Sequence, residues 1–123
     1  MGIVLNHMIV PAADKTVSAE FLAGLLGLTA GEQAGPFIPV KINKDLTMDF
    51  DDRNGVRPGH YAFLVDDDTF DAMLDYLGDN PGIDYGSGLS GGWDRQVGAV
   101  GQGRTVYVQD PDGHSYELFT AVP

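Results

Sequence analysis

The sequence predicts an α+β fold made of two copies of a β-α-β-β-β unit, and three observations support it. In each half of the chain, a segment typical of a β-strand precedes an amphipathic helical pattern with an acidic cap. Similar residue types recur at matching places in the two halves. Residues 103–119 alternate as a β-hairpin does. We expect a single domain, 1–123, with a first module at about 1–55 and a second at about 56–123.

The first module starts with a strand at residues 3–10, which Pro11 ends. A helix follows, with Asp14 as its N-cap and Gly27 as its C′ residue. Its apolar stripe, at helical spacing, comprises Val17, Phe21, Leu22, Leu25 and Leu26. This pattern predicts one strand followed by one helix that packs on it.

The rest of the first module is expected to be β-structure. Residues 28–38 are rich in glycine and fit a short strand with its turns. Residues 39–42 and 45–50 fit two further strands, joined by a turn at residues 43–44.

The second module repeats this order. Residues 60–65 fit a strand, and the acidic run 66–68 caps a second helix. Its apolar stripe comprises Phe70, Met73, Leu74 and Leu77. Gly78 and Pro81 are expected to stop the helix, followed by a short strand at residues 83–85 and a long glycine-rich loop at residues 86–103.

The C-terminal hairpin contains the most unusual residue of the chain. Pro111 and Gly113 suit its turn, and Tyr116 and Leu118 share one face of its second strand. Glu117 lies between them on the opposite face. A carboxylate at such a position is costly to bury unless it is paired or binds a metal, so Glu117 is a candidate functional residue.

The repeat can be checked by residue spacing. His7 and His60 are 53 positions apart (60 − 7), as are Asp14 and Asp67 (67 − 14). Residues 47–50 match residues 115–118 at an offset of 68 (115 − 47), which makes Asp49 the counterpart of Glu117. The repeat therefore pairs two histidines and two carboxylates.

Composition excludes several classes of function. The chain has 7 Lys+Arg against 18 Asp+Glu, a net charge of −11, which would repel a nucleic acid. It has no cysteine, and so neither disulfides nor thiolate chemistry. We see no signal peptide and no apolar run long enough to span a membrane, and we expect a cytoplasmic protein. The acidity favours solubility, with a cationic ligand as the alternative.

Strand alternation places His7, His60 and Glu117 on faces that can line one concavity if the sheet curves away from its helices. Two imidazoles and a carboxylate suit a divalent Fe, Mn, Ni, Co or Zn ion. A single strand histidine is more often structural, but two at equivalent positions with a matching carboxylate favour a ligand set. Asp49 is either a fourth ligand or a solvated acid. His114 lies in the hairpin turn, where we expect it to be exposed and not a ligand.

The chain resembles the vicinal oxygen chelate superfamily, which includes glyoxalase I, extradiol dioxygenases, fosfomycin-resistance transferases and bleomycin-binding proteins. The resemblance covers nearly the whole chain. It rests on residues 5–7 with the helix ending at 25–28, on residues 60–63, and most specifically on residues 106–118.

This resemblance implies paired β-α-β-β-β modules forming a half-open, barrel-like cup, and a homodimer with the metal near the interface. The metal triad of the family maps onto His7, His60 and Glu117, and the fourth carboxylate of glyoxalase I maps onto Asp49. Members bind substrate oxygens to the ion, which stabilises oxyanion or enolate charge. The fold alone does not determine which reaction a member catalyses.

We therefore expect a metal-dependent enzyme acting on a small oxygen-bearing substrate. We lean towards glyoxalase-like isomerase or lyase chemistry, in which Glu117 and Asp49 are the catalytic carboxylates. An extradiol dioxygenase fits the triad equally well. A fosfomycin-type thiol transferase ranks lower, because Ile9 stands where those enzymes carry threonine.

The alternative from a different class is a drug-binding protein of the bleomycin-resistance type, which would suit the acidity but would not need the triad. Either protein would bind its small molecule near the glycine-rich loop. Trp93 offers an apolar surface, Arg95 a cation and Tyr107 a hydroxyl, so these three are the candidate substrate-binding residues. The competing interpretation is a plain surface loop, with Trp93 packed on the rim of the cup and Tyr107 as a packing residue.

Overall fold

The computed structural model describes residues 2–88 and 92–123. The chain divides into two compact units, Met1–Arg57 and Pro58–Pro123, near the predicted border between the modules. Within the described residues, each unit contains one helix and one sheet, and neither sheet closes into a barrel. The predicted α+β class is confirmed.

The first unit is a three-stranded sheet with one helix. Its strands lie in the order β1-β3-β2, with β1 parallel and β2 antiparallel to the central β3. The elements are β1 (His7–Pro11), α1 (Lys15–Leu26), β2 (Ile38–Lys41) and β3 (Thr47–Asp51).

The caps of α1 agree with the sequence prediction. The Asp14 carboxylate accepts hydrogen bonds from the backbone N–H groups of Thr16 and Val17, and Gly27 adopts the left-handed conformation with φ of 70°. The buried face of α1 differs in part from the predicted apolar stripe. Leu22 and Leu25 are buried, but Val17 is 52% exposed, because the small side chains of helix positions 18, 19 and 23 form the rest of the contact.

The strand predicted within residues 28–38 is much reduced. In the described structure this region contains an isolated bridge between Ala34 and Phe37. Gly35 turns the chain between them with φ of 59°, so the segment reverses before a strand can extend.

The second unit contains more β-structure than predicted. Its strands lie in the order β4-β8-β7-β5, with β6 paired to the start of β7. The predicted hairpin is confirmed, with antiparallel strands and φ of 87° at Gly113 in the turn. The elements are β4 (His60–Leu64), α2 (Asp67–Asp79), β5 (Tyr85–Gly86), β6 (Gly98–Val100), β7 (Gly103–Gln109) and β8 (Ser115–Phe119).

Three details of the second unit differ from the prediction. The N-cap of α2 is Asp66, one residue before the expected repeat position, and the helix runs through Gly78 to Asp79. The predicted loop 86–103 contains β6, which a tight turn at Gly101 folds onto β7. Residues 89–91 of that loop lie outside the described residues.

The two sheets share the same register, which is the structural form of the predicted repeat. In the first unit Ile9 lies opposite Asp49, two residues after His7. In the second, Ala62 lies opposite Glu117, two residues after His60. Each histidine is therefore diagonal to a carboxylate on a neighbouring parallel strand.

Each sheet buries one face and leaves the other more open. In the first unit α1 contacts β2 and β3, whose inward residues include the buried Met48 and Phe50. In the second, Tyr116 and Leu118 are buried on the face that they were predicted to share, while His60 and Glu117 lie on the opposite face. No helix in the described part of the chain has the length and apolarity needed to span a membrane.

Candidate functional site

Glu117 lies at the centre of the open face of the second sheet. It is on β8, flanked by β4 and β7, and directly opposite Ala62 and Tyr107. Its side chain is 14% exposed, whereas that of His60 on the edge strand β4 is 44% exposed. The carboxylate is thus accessible from one side and enclosed by strands on the others.

Both oxygens of this carboxylate have partners. Glu117 Oε1 lies 3.2 Å from His60 Nε2, and Oε2 accepts a hydrogen bond of 3.0 Å from Thr105 Oγ1. Tyr107 lies directly opposite Glu117 on the neighbouring strand β7. These contacts offset the desolvation of a carboxylate in mid-strand, and they explain how β8 accommodates it.

Tyr107 lies close to both His60 and Glu117. Its ring stacks on the His60 imidazole with centroids 5.9 Å apart. Burial raises the pKa of the Tyr107 phenol, and the negative charge of the adjacent Glu117 raises that pKa further. The phenol is therefore a neutral hydrogen-bond donor near neutral pH.

The His60–Glu117 pair fits a divalent metal ion. Two neighbouring ligands, each about 2.1 Å from an ion and at right angles, lie about 3 Å apart. The observed 3.2 Å between Nε2 and Oε1 is close to this spacing. An imidazole with a carboxylate suits Fe, Mn, Ni, Co or Zn, the set predicted from the sequence.

His7, the third predicted ligand, lies in the first unit and is exposed at the start of β1. Its Nδ1 is 2.9 Å from Asn6 Oδ1, and Asn6 Nδ2 donates to the backbone carbonyl of Asp45 at 3.3 Å. The Asn6 oxygen is therefore the acceptor, and His7 Nδ1 carries the proton. Nε2 is therefore the ring nitrogen that is available to a metal, as is usual when the other nitrogen is held by an acceptor.

Asp49, the predicted fourth ligand or base, is half-buried on β3, on the same face as His7. Its diagonal relation to His7 repeats that of Glu117 to His60, with a side chain one methylene shorter. No hydrogen bond or ion pair to its carboxylate occurs among the described residues. Its role stays a prediction.

Two of the predicted substrate-binding residues lie in the loop before β6. Trp93 is half-buried. Arg95 has an unusual φ of 57°, stacks over the Tyr85 ring at 4.5 Å and donates from Nη1 to the Ile83 carbonyl at 2.8 Å. These contacts give Arg95 a local structural role, and its predicted contact with a substrate stays a prediction.

His114 differs from the sequence expectation. It is fully buried, not exposed, because the hairpin turn folds it against Tyr61, with ring centroids 5.6 Å apart, and its Nδ1 accepts a 2.9 Å hydrogen bond from Gly59 N–H. With Asp110 and Asp112 it forms a group of potential metal ligands whose donor atoms all lie within 4.8 Å. Asp110 Oδ1 already accepts from the N–H groups of residues 112 and 114, which supports a turn-forming role.

Thr105 is a site residue that sequence reasoning missed. It is 4% exposed on β7, and its hydroxyl donates to the central carboxylate. In the sequence it is one of several β-branched residues in a strand. The available signal was its spacing of two from Tyr107, which places both side chains on one face.

No family model and no curated protein matches the chain. Among solved structures, Oxidase ChaP-H2 is 40% identical, with a TM-score of 0.88 and coverage of 98% of this chain and 95% of that chain. Oxidase ChaP-H1 is 41% identical, with the same TM-score and coverage of 98% and 97%. The fosfomycin resistance protein FosX from Mesorhizobium loti is 23% identical, with a TM-score of 0.69 and coverage of 99% and 95%, and shows the fold alone.

Proposed function

The chain belongs to the vicinal oxygen chelate superfamily, and we propose that it is a divalent-metal-dependent oxidase of a small oxygen-bearing molecule. The named activity of the two relatives at 40% and 41% identity supports oxidation, since both alignments cover at least 95% of each chain. The observation that carries the metal dependence is the 3.2 Å pair of His60 and Glu117 beside a neutral phenol.

We assign the ion to His60 and Glu117, with His7 as the third ligand predicted from the sequence. A bound ion of this class would act as a Lewis acid for substrate oxygens, and iron or manganese would add a redox couple for reaction with O₂. The hydrogen bond between His7 Nδ1 and Asn6 Oδ1 supports its part in this proposal, because it orients the ring and leaves Nε2 as the nitrogen that can bind the ion.

The remaining residues of the site have distinct parts in this proposal. Thr105 holds Oε2 of Glu117, which leaves Oε1 directed towards His60. The Tyr107 phenol is a neutral donor that can hydrogen-bond to a substrate oxygen and stabilise negative charge as it develops there. Its stacking on His60 keeps the ring beside the ligands.

Glyoxalase-like isomerase or lyase chemistry is the second candidate, and one observation favours it. Asp49 lies on the His7 face of the first sheet in the register that Glu117 has in the second. A carboxylate at this position could serve as a fourth ligand or as a base that moves a substrate proton.

A binding protein of the bleomycin-resistance type is the non-enzymatic alternative. The net charge of −11 supports attraction of a cationic drug.

Whether the protein is an enzyme or a binding protein, we propose that it forms a homodimer. The exposed apolar side chains of Ile3, Val4 and Leu5 support this, since they are 102%, 61% and 63% exposed in the single chain. Light scattering of the purified protein measures this state directly.

The test begins with elemental analysis of the tag-free protein and of His60→Ala and Glu117→Gln variants. Glu20→Gln, a carboxylate on the exposed side of α1, is the matched control. We expect about one divalent ion per chain in the wild type and the control, and its loss in both site variants.

The metal-loaded protein is then given catechol-type phenols in an oxygen electrode, and the hemithioacetal of a dicarbonyl with a thiol in a spectrophotometer. Substrate-dependent O₂ uptake that is lost in His60→Ala supports the oxidase. Turnover of the hemithioacetal without O₂ uptake would replace it with the lyase. Failure to take up Fe, Mn, Ni, Co or Zn would refute both enzymes and leave the binding protein.

A further inference from the structure

The first unit contains a pocket formed by its own residues alone, whereas the His60–Glu117 pair belongs to the second unit. The pocket has a volume of about 240 Å³ and sits where β1 and β3 end and the following loop begins. This volume is below that of pockets for drug-sized ligands and suits a small molecule of one or two rings with one substituent. Its walls are formed by Ile9, Pro11, Asp51, Asn54, Gly55 and Arg57.

The acid in this pocket is already neutralised. Asp51 is 5% exposed, and its carboxylate forms two hydrogen bonds of 3.0 Å with the Arg53 guanidinium, from Nε to Oδ1 and from Nη2 to Oδ2. Such a bidentate pair offsets the negative charge locally. Asp51 therefore does not compensate a second cation in the pocket lining.

Arg57 is that second cation. It is exposed at the pocket, and among the described residues its side chain has no hydrogen bond or ion pair. The other arginines are engaged: Arg53 with Asp51, Arg95 with the Ile83 carbonyl, and Arg104 with two aspartates of α2. In a chain of net charge −11, an unengaged guanidinium beside a pocket is a specific feature that a planar anion would match.

Another part of the lining is apolar. Ile9 is 47% exposed, a large fraction for such a side chain, and Pro11 follows two residues later on the same strand. A ligand with a ring against these two side chains would bury apolar surface at about 25 cal/mol per Å². The pocket thus offers one anion-binding group and one hydrophobic wall.

We propose that this pocket binds a small aromatic or alicyclic carboxylate, with its carboxylate on Arg57 and its ring against Ile9 and Pro11. The Asn54 side chain, in the same lining, supplies a further polar group for the carboxylate or its substituents. Ile9 lies two residues after His7 on one strand face, about 7 Å along β1. The proposal goes beyond the metal chemistry and does not depend on it.

The probe is 2-naphthoate, and its neutral control is 2-naphthamide. Binding to the full chain is measured by calorimetry, both as purified and after chelator treatment, and located by amide chemical-shift changes. We expect saturable binding of the acid in both preparations, at least about tenfold tighter than the amide, with shift changes at Ile9, Asn54 and Gly55. Equal binding of acid and amide, or shift changes confined to β7 and β8, would overturn the proposal.

Two variants separate a specific contact from a general effect of charge. Arg57→Gln is expected to weaken naphthoate binding about tenfold and leave the amide unchanged. Lys44→Gln removes a cation from the turn before β3, outside the pocket, and is expected to have no effect on either probe. An equal loss in both variants would refute the assignment to Arg57. Loss of metal uptake would bear on the proposed function alone, since the chelated protein is expected to bind naphthoate equally well.

Discussion

Thr105 and Glu117 are joined by a hydrogen bond of 3.0 Å between the hydroxyl Oγ1 and the carboxylate Oε2, on neighbouring strands of the second sheet. Because Thr105 is buried, its hydroxyl has little competition from water. The bond fixes the carboxylate so that the other oxygen, Oε1, faces His60. Thr105 is therefore a positioning residue for the proposed metal ligand.

We predict that Thr105→Val weakens metal binding by about 10- to 100-fold, the usual cost of removing a group that orients a ligand. Thr105→Ser keeps the hydroxyl and is expected to restore most of the affinity. Competition with a chromophoric chelator measures both. Wild-type affinity in the valine variant would show that the hydroxyl does not position Glu117.

Tyr107 is predicted to ionise at a higher pH than free tyrosine, because burial and the adjacent Glu117 carboxylate both disfavour the phenolate and raise its pKa above 10.0. The difference between the ultraviolet titrations of the wild type and Tyr107→Phe isolates this one phenol among the 5 tyrosines. We expect the ionisation step that the wild type shows and Tyr107→Phe lacks to occur above pH 10. A step at or below pH 10 would contradict the environment described for Tyr107.

The Asp51–Arg53 pair is predicted to make stability depend on pH. The side-chain hydrogen bond from Arg53 lowers the pKa of Asp51 below its usual 3.8. A lowered folded-state pKa contributes stability above pH 3.8, and this is lost as the pH falls through the folded-state value. At pH 7, Asp51→Asn should therefore unfold at a lower urea concentration than the wild type. The difference between the two urea midpoints should become smaller below pH 3.8.

Asp75→Asn, at an exposed position of α2, controls for the loss of one charge and should change the urea midpoint little at either pH. If Asp51→Asn lost the same stability at pH 3 as at pH 7, ionisation of Asp51 would not be the cause.

The parts of the structure that could be predicted depend on local patterns. The helix cap at Asp14 follows from side-chain chemistry over three residues, and the faces of β8 follow from strict alternation. The equivalence of His7 with His60 came from residue spacing, and it agrees with the shared strand register. Local periodicity was therefore enough to identify the two residues that the second sheet brings together, His60 and Glu117.

The features that could not be predicted depend on contacts between distant segments. Thr105 reaches Glu117 because the hairpin register sets them on a diagonal, which the composition of β7 does not reveal. Strand β6 consists of three residues beginning with glycine, and it exists because β7 supplies its hydrogen bonds. His114 looked exposed because turns usually are, and its burial depends on packing against β4 and β8.

His114 provides the last prediction. His114→Ala is expected to lower the free energy of unfolding by roughly 2–4 kcal/mol, because it leaves a cavity and removes the acceptor of the Gly59 N–H group. Urea denaturation measures the total, and hydrogen exchange at the Gly59 amide reports the lost bond. His114→Asn places an amide oxygen near the position of Nδ1 and should restore protection of that amide more fully than it restores stability.

The same variants separate the turn from the proposed metal site. If the ion is held by His60 and Glu117, folded His114→Asn should keep the metal content of the wild type, while Glu117→Gln should lose it. Metal loss in folded His114→Asn with retention in Glu117→Gln would move the site to the group of Asp110, Asp112 and His114. The hairpin turn would then be the metal centre, and the carboxylate of β8 a structural one.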